Sequence, residues 1–233
     1  MRLLVVTRAD SRVKEITKLT HPIIKRFTKQ WNADFLVIGP DADCNDCSDW
    51  KGRLHYRIMK LYNLFEKYDR IANIDSDTII NKNCPNLFEI VPNGKFGVIF
   101  EDKGTRLENR RRRILGIQRA WGDIGWRTGY INTGVSIISQ SHREIFKKFK
   151  GQYWEGRGYT DVHFGYQLHR LDLEIFELDW HFNHMCMFSE RWNESASRFD
   201  SYILHYAGKA RFPDKGNRSK VRMIRDDIER IYG

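Results

Sequence analysis

Long hydrophobic runs are missing from this chain of 233 residues. No stretch approaches the roughly 20 apolar residues that carry a helix across a bilayer. The first apolar run, Met1 to Thr7, meets charge at Arg8 and Asp10. A secretory leader needs a longer apolar region and a small-residue cleavage site. The run therefore reads as a first strand, and the protein as one made and kept in a cytoplasm, the host's if the source is viral. Cysteine is also scarce: Cys44, Cys47, Cys84 and Cys186 are all there are. Cys44 and Cys47 have the spacing of half a zinc site, but no second CxxC or HxxxH follows, so free thiols in a reducing compartment are the better reading. Internal repeats and low-complexity linkers are absent too, which leaves one α/β unit as the simplest organisation.

Acidic residues are in deficit, 30 against 40 lysines and arginines, for a net charge of +10. That balance favours an anionic partner: nucleotide phosphates, an acidic glycan, a membrane surface or nucleic acid. The surplus concentrates at Arg106, Arg110, Arg111, Arg112, Arg113, Arg119 and Arg127. Apolar patterning predicts strands at Leu3 to Val6, Asp34 to Ile38, Arg70 to Ile74, Phe96 to Phe100, Ile131 to Ser139, Glu174 to Leu178 and Tyr202 to His205. It predicts a helical region after the first strand, broken near His21-Pro22, and helices over Arg53 to Lys67, Ser141 to Lys150, Thr160 to Leu171 and Ser219 to Ile231. Strands alternating with helices imply a mostly parallel sheet whose ligands sit at the carboxyl ends of strands.

Asp75-Ser76-Asp77 leaves the apolar run Ile71 to Ile74 with two carboxylates one residue apart. Like charges at the end of a buried strand need neutralising. A hard divalent cation shared with phosphate oxygens does this, although Asp-Ser-Asp is also turn chemistry.

The surroundings decide between these. Tyr68-Asp69-Arg70-Ile71 before the pair and Thr78-Ile79-Ile80 to Leu87-Phe88 after it resemble a block of one glycosyltransferase family. This is family 8, with glycogenin and bacterial lipopolysaccharide galactosyltransferases, a retaining family of GT-A fold. Tyr130-Ile131-Asn132-Thr133-Gly134-Val135, Tyr159-Thr160-Asp161 and His205-Tyr206-Ala207-Gly208-Lys209-Ala210-Arg211 resemble three further segments of that family, in its order.

The resemblance implies a role for each matched position. Asp75, Asp77 and His205 would hold Mn²⁺ or Mg²⁺ against the diphosphate of a nucleotide-sugar, a UDP-sugar first, with Ser76 in the same loop. Thr7, Arg8 and Asp10 would line the base and ribose pocket. The basic residue expected on the helix before the pair is Arg57 or Lys60, and Lys60 is placed in the donor set. Asn132, Gly134 and Asp161 would meet the transferred hexosyl unit, with Asn132 and Asp161 catalytic. Gly208, Lys209 and Arg211 would close over the diphosphate. By the same reading, residues 1–95 form the nucleotide half, 96–213 the sugar and acceptor half, and 214–233 a terminal helix. Two departures stand out: Arg211-Phe212-Pro213 replaces Lys-Pro-Trp, and Val162 follows Asp161 where the family carries Gln.

A retaining route passes the acceptor proton to a donor phosphate oxygen, whereas an inverting one needs a carboxylate base. Asp102, with Glu101, is the candidate for that base or for sugar binding. Lys103 to Arg127 reads first as a solvated basic loop or helix. The sharper alternative is an acceptor lid, with Trp121 and Trp126 stacking on sugar and arginines meeting an anionic acceptor or a membrane surface. The cluster Trp180 to Met185 reads as a core-to-loop junction, with a lesser chance of a site role for Asn183. Two other classes compete. A haloacid-dehalogenase-type phosphatase would use Asp75 as nucleophile, but its motif stands near the N-terminus and needs a later acidic motif that Gly122 to Arg127 does not complete. A nucleic-acid-binding protein would suit the charge, but no RNP, KH, zinc-finger or helix-turn-helix signature accompanies it.

Overall fold

The computed structural model describes residues 1–233. In chain order its elements are β1 (Leu3–Arg8), α1 (Lys14–Gln30), β2 (Asp34–Ile38), α2 (Trp50–His55), α3 (Leu61–Leu64), β3 (Arg70–Ile74), β4 (Thr78–Ile80), α4 (Leu87–Ile90), β5 (Phe96–Phe100), α5 (Leu107–Trp121), β6 (Ile131–Ser139), α6 (Tyr159–Arg170), β7 (Ile175–Glu177), β8 (Ile203–His205) and α7 (Lys220–Tyr232).

Six strands form a sheet in the order β2-β1-β3-β6-β5-β7. The pairs β1/β2, β1/β3 and β5/β7 are parallel, and β6 runs against both β3 and β5. The mostly parallel α/β sheet flanked by helices is thus present, with one reversed strand inside it. Because β6 is reversed, its first residues lie at the rim where β1 and β3 end. β4 and β8 make a separate antiparallel ribbon.

Strand alternation builds a core on each face of the sheet. Leu4, Val6, Ile71 and Ile138 pack on one side, and Val5, Ala72, Ile74, Val135 and Ile137 on the other. Each fully buried aliphatic side chain contributes roughly 1.5–3 kcal/mol.

The expected break at Pro22 does not occur: α1 runs through it. Ile16, Thr20, Ile24 and Phe27 form one continuous buried face across that point, while Pro22 is exposed. Burial of that face offsets the roughly 3 kcal/mol of an interior proline. The helix expected over Arg53 to Lys67 is instead α2, a 3-10 stretch at Tyr56–Lys60, and α3. Buried Arg57 is tied there to Asp10 and Asp43, so tertiary ion pairs override the helical period. Ser141 to Lys150 likewise folds as 3-10 turns over Gln140–Phe146. The arginine run is a true helix, α5, held by buried Ile114, Ile117, Gln118 and Trp121 on one face and ended by Gly122 at φ +117.

Candidate active site

Ser76 fastens the acidic turn. Its hydroxyl shares a 2.9 Å hydrogen bond with Thr7 and donates to the Arg8 carbonyl, while its own carbonyl accepts from Thr20 at 2.6 Å. With the middle residue pulled inward, Asp75 and Asp77 are turned out toward solvent. The β4/β8 ribbon then delivers the third member of the set. Thr78 lies opposite His205, and the Tyr206 amide donates to the Asp77 carbonyl at 2.9 Å. His205 Nε2 stands 3.8 Å from Asp75 Oδ2 and 3.4 Å from Asp77 Oδ1, and the three ligand atoms lie within 4.8 Å of one another.

The surroundings fit a cation. His205 Nδ1 donates to Asn183 Oδ1 at 2.7 Å, which leaves Nε2 facing the carboxylates. Asn183 donates to Asn132 at 3.0 Å, Asn132 donates to Glu101 at 3.1 Å, and Glu101 is ion-paired with Arg110 of α5. The ring's tautomer is therefore set by a chain of amides ending in a buried salt bridge. Gly134 makes room for it. A Cβ there would lie 2.8 Å from Nδ1 and closer still to Cε1. The Gly134 carbonyl also accepts the Asp75 amide at 2.7 Å.

Cations already answer both acids. Arg8 donates to Asp75 at 2.6 Å, and Lys220, on the first turn of α7, to Asp77 at 2.5 Å and to the Gly208 carbonyl at 3.3 Å. Burial opposes ionisation of Asp77, but His205 and Lys220 more than offset it and hold its carboxyl well below the usual range. Burial likewise disfavours a charged His205, yet Asp77 and then Asp75 keep it above its ordinary value. Asp161 moves the other way. Burial pushes it up to about 6, against two hydrogen bonds from Thr133 and with help from the charges of Glu101 and Asp75.

A cleft of about 440 Å³ opens beside this set, lined among others by Arg8, Asp10, Arg57, Asp75, Asp77 and Lys220. The other predicted residues divide around it. Thr7 is fully buried beneath Ser76 and supports the turn without lining the cleft. Lys60 is exposed and outside the lining, whereas Arg57 is inside it. Gly208, Lys209 and Arg211 lie on an exposed loop outside the lining, and Lys220 lies within it. Asn132, Gly134 and Asp161 gather at the rim, Thr133 linking Asp161 to β6. Asp102 accepts hydrogen bonds from the amides of Gly129 and Tyr130, one on each oxygen, and so holds that loop. Val162 is buried among Trp126, Tyr130 and Tyr166, so its apolar character serves packing. Trp121 and Trp126 belong to that same cluster and offer no face to a sugar. His184 is satisfied by Ser201 and Ser189, as a junction residue. Asp123 of the Gly122 to Arg127 stretch pairs with Arg127 at the surface.

Lys220 escaped the sequence reading, yet one signal was available. A cation on the first turn of a helix opposes the macrodipole, and such a lysine is best explained by an acid waiting for it.

No protein-family model matches the chain, and no curated protein matches it in sequence. Solved structures do match in fold. One is a glycosyltransferase involved in glycosylating the major capsid of PBCV-1, with 14% identity, a TM-score of 0.63, and 99% of this chain and 100% of that one covered. A second is the galactosyltransferase LgtC in complex with donor and acceptor sugar analogues, with 12% identity, a TM-score of 0.59, and 99% and 96% covered. A third is a mutant of Drosophila β1,4-galactosyltransferase 7 in complex with manganese, UDP-Gal and xylobiose, with 13% identity, a TM-score of 0.51, and 97% and 80% covered. The fold is the GT-A fold of these neighbours. No helix is long and apolar enough to cross a membrane.

Proposed function

We propose that this protein is a metal-dependent glycosyltransferase that moves a hexosyl unit from a nucleotide-sugar, a UDP-sugar first, to a hydroxyl on a glycan. The observation that carries the reading is the convergence of Asp75, Asp77 and His205 at the rim of a GT-A sheet, beside a cleft of about 440 Å³. Mn²⁺ or Mg²⁺ bound there would neutralise the charge that grows on a departing diphosphate. LgtC with its sugar analogues and the manganese and UDP-Gal complex of the Drosophila enzyme support the choice of ligands.

The chain's own residues supply the rest. The 1–95 half cradles the nucleotide through Arg8, Asp10 and Arg57, and Lys220 reaches in from the start of α7 as a diphosphate counter-charge. Asn132, Gly134 and Asp161 of the 96–213 half face the sugar. Glu101 and Asp102 are both tied up in hydrogen bonds. That engagement of both carboxylates supports a retaining route, with a donor phosphate oxygen taking the acceptor proton.

A thermal-shift screen of UDP-, GDP- and dTDP-sugars with and without Mn²⁺ tests the reading. At least one sugar nucleotide should stabilise the protein only with the ion, and Asp77→Ala should erase that shift. Nucleotide binding indifferent to EDTA would overturn it.

A further inference from the structure

The proposed reaction leaves one face of α5 unused. Asn109, Arg112, Arg113 and Gly116 recur at helical spacing and, with Trp154 and Arg157 from the loop before α6, line a cleft of about 290 Å³. That is the small end of the roughly 300–1,000 Å³ typical of small-molecule sites. None of the six residues is acidic. Arg110, Arg111 and Arg127 nearby each face a carboxylate. Arg112 and Arg113 instead reach only neutral oxygens, the Glu108 carbonyl at 3.3 Å and the Tyr130 hydroxyl at 3.2 Å. The Arg113 Nε is buried without a partner. Glu155, the one acid in the 151–158 loop, is turned away to the Ser48 amide at 2.7 Å.

Gly116 supplies an independent observation. A glycine inside a helix costs about 0.5–1 kcal/mol relative to alanine, and close packing often explains it. Here nothing lies within 4 Å of the Cβ it lacks. What the missing side chain leaves is an open floor to the cleft.

We propose that this cleft binds the acidic group of a saccharide acceptor. The carboxylate or phosphate would sit in the guanidinium forks of Arg112, Arg113 and Arg157, with the sugar ring against the Trp154 indole. The inference rests on the glycosyltransferase reading and names the class of its acceptor. Tyr130 joins the two regions: its hydroxyl receives Arg113, and the chain runs from it directly into Ile131 and Asn132 at the rim. A cleft this small does not suit a nucleic-acid duplex, which needs an extended basic stripe.

The test titrates ¹⁵N-labelled protein with glucuronate, glucose 6-phosphate and glucose, following the indole resonance of Trp154 as assigned from Trp154→Phe. An acidic sugar should shift that resonance and glucose should not, and a response to one acid alone supports the site and names its anion. Gly116→Leu, which fills the floor, and Arg113→Gln, which removes a fork, should each weaken the response about tenfold or more. Asp77→Ala should leave it intact, so failure of the donor site and failure of this cleft are read separately. An equal response to glucose, no response to either acid, or a response that survives both cleft variants would overturn the proposal.

Discussion

Two clefts of this molecule treat charge in opposite ways. In the larger one each acid has a resident cation: Arg8 for Asp75, Lys220 and His205 for Asp77, Arg57 for Asp10. In the smaller one three arginines share the lining with no acid among its residues. A self-neutralised cleft keeps its shape unaided and takes a ligand by exchanging partners, cation for cation. An uncompensated cleft is completed only by a ligand that brings the missing charge. On the proposed readings the first takes a metal with a diphosphate, and the second an anion alone.

The contrast can be broken most forcefully at Asp77. Asp77→Ala should lower transfer by roughly 10³-fold or more, the scale of lost transition-state charge stabilisation, and abolish Mn²⁺ binding measured by electron paramagnetic resonance. Retained manganese affinity would show that the pair is only a turn. Asn183→Ala leaves every ligand in place but frees the ring of His205, and manganese should bind about 10–100-fold more weakly. Unchanged affinity would mean that the amide chain merely packs.

Asp161 lies between the regions and tests the cost of its burial. With a folded value of about 6 against 3.8 ordinarily, the folded state holds this proton more tightly than the unfolded one. Stability therefore declines as pH rises through that window. Asp161→Asn should flatten the decline and raise stability at neutral pH by about 1–2 kcal/mol, allowing for its partial exposure, while transfer is lost. Denaturant melts at several pH values decide it; a variant less stable than the parent at neutral pH contradicts the buried-charge account. The smallest effect belongs to Gly116→Ala, which should stabilise the chain by about 0.5–1 kcal/mol and leave manganese binding alone. A loss of stability would mean that the floor of the second cleft is packed after all.

Much of this was legible in the chain. Short apolar runs such as Arg70 to Ile74 and Phe96 to Phe100 became strands with those ends, since a buried strand has little freedom in where it stops. Asp75 and Asp77 were readable as a pair at a strand end, His205 only through the family resemblance, and the three do come together. What escaped notice depends on tertiary partners. Pro22 is tolerated because its ring faces water while the opposite face of α1 is buried. Arg57 was not separable from Lys60 by spacing, since only Asp10 and Asp43 draw it inward. Trp121 and Trp126 looked like sugar platforms until α5 and α6 closed over them. Asn183 gains its importance from a single bond to His205 across 22 residues of sequence.

Gly134 carries a consequence for how such a chain can drift. Every single-nucleotide change that replaces a glycine codon with another amino acid adds at least one carbon, and that carbon would collide with the imidazole of His205. Neighbouring Val135 can trade methyl groups for a tolerable loss of packing. At position 134 even alanine displaces that imidazole, so a library of random variants should be depleted there more sharply than at any buried aliphatic position of the same strand.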